Sequence, residues 1–85
     1  MSPDVPLFLR VTVGSAVYTS DVQRIGKVKD KRGPYFKVET GLLQRDYWLS
    51  ADVVSSAIPG DSVTLSVDKG HLGEQRIYKD PTLPA

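Results

Sequence analysis

The chain holds one histidine and no cysteine, and that alone removes most reactive chemistry. Without thiols there is no disulfide framework, no thiolate zinc site, no iron–sulfur cluster and no cysteine nucleophile. A single imidazole, His71, cannot build a multi-histidine metal centre. It stands in Lys69-Gly70-His71-Leu72-Gly73-Glu74, where the paired glycines suggest a phosphate cradle. The spacing of a phosphate loop and its lysine-serine/threonine ending are missing, so His71 reads as a surface residue of the C-terminal tail. The carboxylates Asp21, Asp46, Asp52 and Asp61 all fall at turns or turn starts, where side-chain bonding to nearby backbone explains them without catalysis. No nucleophile–base pair is legible. The expectation is a protein that is not an enzyme and carries neither metal nor cofactor.

The charge distribution says more. Formal net charge is +1, yet residues 24–37 hold six basic residues against Asp30 alone, or +5, while the remainder has five basic against nine acidic, or −4. The candidate contact residues are Arg24, Lys27, Lys29, Lys31, Arg32 and Lys37, with Tyr35 near the tip of the hairpin they form. Lys27 and Lys29 share a face by strand parity. Such a patch suits phosphates or an acidic protein surface, with Tyr35 placed to stack. The competing reading is a solvated outer face whose lysines keep an edge strand from pairing. Tyr47 joins the candidates for a different reason. It neighbours Trp48, and adjacent strand residues point to opposite faces. Burying Trp48 contributes more than burying any other residue, so Trp48 is expected in the core and Tyr47 outside.

These side chains need a scaffold, and 85 residues at 40% hydrophobic and 25% charged provide one globular domain. Residues 1–6, with two prolines, read as a disordered lead. The domain is expected over 7–68, followed by a tail at 69–85 that is partly packed or flexible. Leu7, Leu9, Val11 and Val13 alternate with Arg10 and Thr12 as a strand would, with Phe8 breaking the alternation. Ile25 and Val28 lie on opposite parities, and a bulge or bend at Gly26 reconciles them. Lys31-Arg32-Gly33-Pro34 connects a hairpin whose return strand buries Phe36 and Val38. Tyr47-Trp48-Leu49 forms the next strand. Ser50 is placed to cap one helical turn, on which Val53 and Ala57, and Val54 and Ile58, are spaced by four. Val63, Leu65 and Val67 alternate cleanly with Ser62, Thr64 and Ser66. Short strands with turns every eight to twelve residues predict an all-β fold. The expected form is a small antiparallel barrel of five or six strands with one short helical turn.

One run has a familiar order. Val13-Gly14-Ser15-Ala16-Val17-Tyr18-Thr19-Ser20-Asp21 precedes Ile25-Gly26-Lys27-Val28, then a basic hairpin, Tyr47-Trp48-Leu49, the Val53-Val54 turn and Val63-Thr64-Leu65. Over about two-thirds of the chain this resembles the PRC-barrel family. That superfamily takes in the cytoplasmic domain of the photosynthetic reaction centre H subunit and the C-terminal domain of a ribosome maturation factor. The likeness is to its small stand-alone bacterial members. Where the family usually has glycine after the turn aspartate, this chain has Val22. The resemblance implies a barrel that acts as a docking module. The expected function is therefore non-catalytic binding of another protein or of a second copy, with surplus apolar residues such as Phe8 and Tyr47 facing the partner. Nucleic-acid binding through the 24–37 hairpin is the alternative. Salt separates the two, because phosphate contacts weaken steeply with ionic strength and an apolar interface does not. No apolar run nears a membrane span and no secretory leader is visible, so a cytoplasmic protein without membrane contact is expected.

Overall fold

A computed structural model describes residues 7–41, 45–79 and 81. The expected lead at 1–6, the side chain of Phe8 and the last residues of the tail, 82–85, lie outside the described residues. The fold is all-β. Among the described residues six strands form one sheet: β1 (Ala16–Tyr18), β2 (Arg24–Arg32), β3 (Tyr35–Glu39), β4 (Tyr47–Ser50), β5 (Val54–Ile58) and β6 (Ser62–Leu65). Their spatial order is β4-β3-β2-β1-β6-β5. Among the described residues no helix is long and apolar enough to cross a membrane.

The sheet is mixed, which corrects the expectation of a purely antiparallel one. β1 runs parallel to β6, with Val17 opposite Val63, while every other neighbour is antiparallel. Those directions make β4 and β5, the two edge strands, run the same way. Only the 3-10 turn Ala51–Val53 joins them. In a flat sheet the two edges would stand about 24 Å apart, five strand spacings, whereas the four steps from Ser50 to Val54 reach about 14 Å at most. The sheet must therefore curl. No ladder joins β4 to β5 among the described residues, so the curl remains open along that seam. Ala51 N–H donates to Pro34 O at 2.8 Å and Ser66 N–H to Val53 O at 2.7 Å, which ties the turn to both halves of the sheet.

Ser50 caps this turn as its sequence suggests, its hydroxyl accepting from Asp52 N–H at 3.2 Å. The turn is shorter than the spacing of Val53, Ala57, Val54 and Ile58 implies. From Val54 the chain is extended, because β6 offers a ladder for residues 54–58 and Ser55, Ser56 and β-branched Ile58 favour it over helix.

The core lies inside the curl. Val17, Val28, Phe36, Val38, Leu49, Val63 and Leu65 are buried together with Val11 and Leu72, and Ile25 packs against them. Residues 7–13 do not form the expected strand. Leu7–Arg10 is one α-helical turn, α1, which packs against β5. Val11 enters the core, Leu9 and Val13 stay exposed, and the chain turns at Gly14 with φ 96°. A short apolar run fits strand or helix equally by period, and here β1 already has both its neighbours.

The bulge at Gly26 is present. Val17 pairs with Gly26 and Tyr18 with Arg24, leaving Ile25 as the extra residue. Gly26 has φ 153°, and a Cβ there would lie 2.2 Å from the Glu39 carbonyl oxygen. A second shift between Val28 and Asp30 makes Lys29 an extra residue against β3. Val22, where the resembled family has glycine, takes φ 60°, a conformation that β-branched residues resist. We expect Gly26→Ala to lower stability by about 3 kcal/mol in urea unfolding, since the clash is with backbone. Val22→Gly, by contrast, should raise stability by roughly 1 kcal/mol by removing left-handed strain. A neutral Gly26→Ala would mean that β2 and β3 can separate there without cost.

Candidate functional site

The basic hairpin does not present its charges as one patch. Phe36 and Val38 of β3 face the core, so Tyr35, Lys37 and Glu39 face outward. Register then sets Lys27 opposite Glu39, Asp30 opposite Lys37 and Arg32 opposite Tyr35. Each carboxylate stands across from a cation, an arrangement that stabilises a strand pair. Lys31 is opposite Phe36, on the inner face at the end of the hairpin, and is half-buried. The register shift ends the parity that would have paired Lys29 with Lys27. Lys29 Nζ instead donates to Asp46 Oδ2 at 3.0 Å, which raises its pKa. Arg32 lies 3.7 Å from Asp30, and Lys37 Nζ sits 5.8 Å from the centre of the Trp48 ring. Of the hairpin cations, Arg24 and Lys27 line one shallow cleft with Glu39, Thr40 and Gly41.

Tyr47 and Trp48 reverse the facing expected of them. Val38 pairs with Tyr47 and Phe36 with Leu49, so Tyr47 and Leu49 share the core face and Trp48 takes the other. Tyr47 is 2% exposed, not an outward contact residue, and Trp48 is also buried. Size argued for Trp48 inside, but register outranks size, because β4 inherits its facing from Phe36 and Val38. Both residues are covered because the C-terminal segment returns along β4. Trp48 and Ile77 exchange two backbone hydrogen bonds, 2.6 and 3.0 Å, as an isolated bridge. Leu72, in a second 3-10 turn (Leu72–Gln75), anchors that segment in the core.

The returning segment builds a site that the sequence reading missed. It carries Lys69, Arg76 and Tyr78 to the start of β4, beside Arg45 and Tyr47. The Arg76 guanidinium lies 4.9 Å from the Tyr47 ring centre, and that of Arg45 lies 4.7 Å from the Tyr78 ring centre. The two rings meet edge-on, 6.2 Å apart. Two clefts adjoin here. The smaller, about 240 Å³, is lined by Arg24, Ile25, Thr40, Tyr47, Lys69 and Arg76. The larger, about 520 Å³, is lined by Arg45, Tyr47, Arg76 and Tyr78. Burial pushes the Tyr47 phenol above its ordinary pKa, and the Arg76 charge offsets part of that rise. The only signal in the sequence was composition: a tail with three basic residues and a tyrosine, with nothing to show where it folds back.

Three of the four turn carboxylates have side-chain partners among the described residues, and only Asp21 and Asp61 find one within their own turn. Asp21 accepts from the Thr19 hydroxyl and from Lys69 N–H, Asp46 pairs with Lys29, and Asp61 accepts from Ser62 Oγ. Among the described residues no group of three or more metal-ligating side chains comes together. No family model, no curated protein and no solved structure matches this chain.

His71 is a surface residue, as expected, but it is not idle. Its Nδ1 lies 2.7 Å from Asp68 Oδ1. That hydrogen bond, more than any other influence, raises the imidazole pKa and lowers that of Asp68. The pair therefore contributes below the imidazole's ordinary value near 6.5 and loses its worth as pH rises through the raised value. At the acid end it is lost as pH falls through the lowered Asp68 value. An NMR titration should place the His71 midpoint above 6.5, and Asp68→Asn should bring it back. A midpoint unmoved by Asp68→Asn would assign the shift to Glu74 instead.

Proposed function

We propose that this chain is a non-catalytic docking module, and that its partner is a second copy of itself. One observation carries this reading: an apolar surface gathers where α1 meets the edge strand β5. Leu9 is 56% exposed and Ile58 58%, and α1 packs directly on β5. Thr12 Oγ1 accepts from Gly60 N–H at 2.7 Å, which holds the exposed Val13 at the same end. β5 itself, Val54-Ser55-Ser56-Ala57-Ile58, has no charged residue, and its outer edge has no backbone partner among the described residues. Edges left to solvent usually carry charge or proline against pairing. The opposite edge, β4, is met by Ile77. A charge-free edge flanked by apolar side chains suits a two-fold contact, in which the same patch serves both copies. It also fits the docking role that the PRC-barrel resemblance implies.

Nucleic-acid binding by the 24–37 hairpin has less support. Lys29, Lys37 and Lys27 each have an acidic or aromatic neighbour of their own, which leaves little surplus field for a phosphate backbone.

Sedimentation tests the reading. The wild type should run as a dimer at high micromolar concentration, indifferent to salt. The double variant Leu9→Glu, Ile58→Glu should run as a monomer with its melting temperature preserved when both are measured at low concentration. A wild type that stays monomeric at high micromolar concentration would overturn self-docking. A steeply salt-dependent, submicromolar affinity for RNA or DNA would favour the hairpin.

A further inference from the structure

The paired clefts at the start of β4 share no residue with the α1–β5 surface, and of the hairpin cations only Arg24 lines them. Four cations line them: Arg24 from β2, Arg45 from just before β4, and Lys69 and Arg76 from the returning C-terminal segment. Among the described residues no carboxylate lines either cleft. Among the described residues, none of these four side chains is in an ion pair, although the chain as a whole is nearly neutral. Cations grouped this way repel one another, and an unpaired group of them is stabilised by an anion.

A second observation points the same way. The Tyr47 hydroxyl is buried and makes no hydrogen bond of good geometry among the described residues, although the Arg76 guanidinium stands close enough to lower its pKa. A buried hydroxyl without a partner loses its hydration for nothing, and such orphans are few in folded proteins. This one belongs to a residue that lines both clefts. Thr40 adds another hydroxyl at the smaller cleft.

We propose that the paired clefts bind a phosphate monoester, its dianion in the smaller cleft and its organic part along the exposed Tyr78 ring in the larger. Guanidinium groups fork onto oxyanions with two parallel hydrogen bonds, and Lys69 adds a point charge from another segment. Donors arriving from Arg24, Lys69, Arg76, Thr40 and Tyr47 surround their target from several directions. That suits a tetrahedral oxyanion better than a planar carboxylate, whose acceptors lie in one plane. The larger cleft holds the exposed Tyr78 ring beside the Arg45 guanidinium, a surface on which a planar organic group can stack.

The test is an amide NMR titration of the whole chain with inorganic phosphate at constant ionic strength, chloride making up the balance. Phosphate should give saturable shifts around Thr40, Tyr47, Lys69 and Arg76 with submillimolar affinity. Arg24→Gln and Arg76→Gln should each weaken binding about tenfold or more, the worth of one charge-assisted hydrogen bond. Lys29→Gln, whose charge is held by Asp46, should leave it unchanged. Tyr47→Phe keeps the ring and removes only the hydroxyl. It should weaken phosphate several-fold without lowering the melting temperature, which a purely structural hydroxyl would not do. Adenosine monophosphate should bind more tightly than ribose 5-phosphate, with added shifts at Tyr78. Equal affinity for the two would remove the organic half of the proposal. Shifts no larger than those from chloride, or Lys29→Gln weakening binding as much as Arg76→Gln, would overturn the site altogether.

Discussion

The fold depends on how closely two backbones approach at Gly26. No side chain fits between this residue and the Glu39 carbonyl, and Ile25 beside it is left unpaired in the β1–β2 ladder. Together they let β2 bend sharply while still serving two neighbours. Without that bend the sheet would flatten, and three residues could not carry the chain from one edge strand to the other. The open curl, the shared core and the placing of Arg24 beside the C-terminal segment all follow from one position where hydrogen is the only side chain tolerated.

Local signals in the sequence were reliable wherever one residue's chemistry decided the outcome. Ser50 could be assigned as a cap, Gly26 as a bend, and Phe36 with Val38 as an inward pair, because each depends on its own neighbours. What escaped was set by distant register. The facing of Tyr47 and Trp48 comes from their pairing with Val38 and Lys37, and nothing within 47–48 encodes it. The helical turn at Leu7–Arg10 escaped for a related reason. Its alternation was real, but the sheet had no place for another strand beside β1.

The cleft illustrates the same limit more strongly. Its cations come from three separate stretches, and the hairpin that held most of the positive charge supplies only Arg24. Counting charge along the chain located the density, while pairing decided its use: Glu39, Asp30 and Asp46 each stand with a hairpin lysine. Apart from Arg24, the cleft residues without acidic partners among the described residues were inconspicuous in the sequence, one before β4 and two in the tail. They became neighbours only because Leu72 is buried and Ile77 bridges Trp48.

The parallel contact between β1 and β6 also sets the order in which this molecule can assemble. Hairpins β2–β3 and β5–β6 close over short loops and can form early. Val17 meets Val63 only after everything between them is in place, and such distant pairings are slow to find. During synthesis from the N-terminus, β1 to β4 therefore emerge with one wall of their core missing. Val17, Phe36 and Leu49 stay open to water until β6 follows, which makes the half-made chain, rather than the finished one, the species most exposed to aggregation.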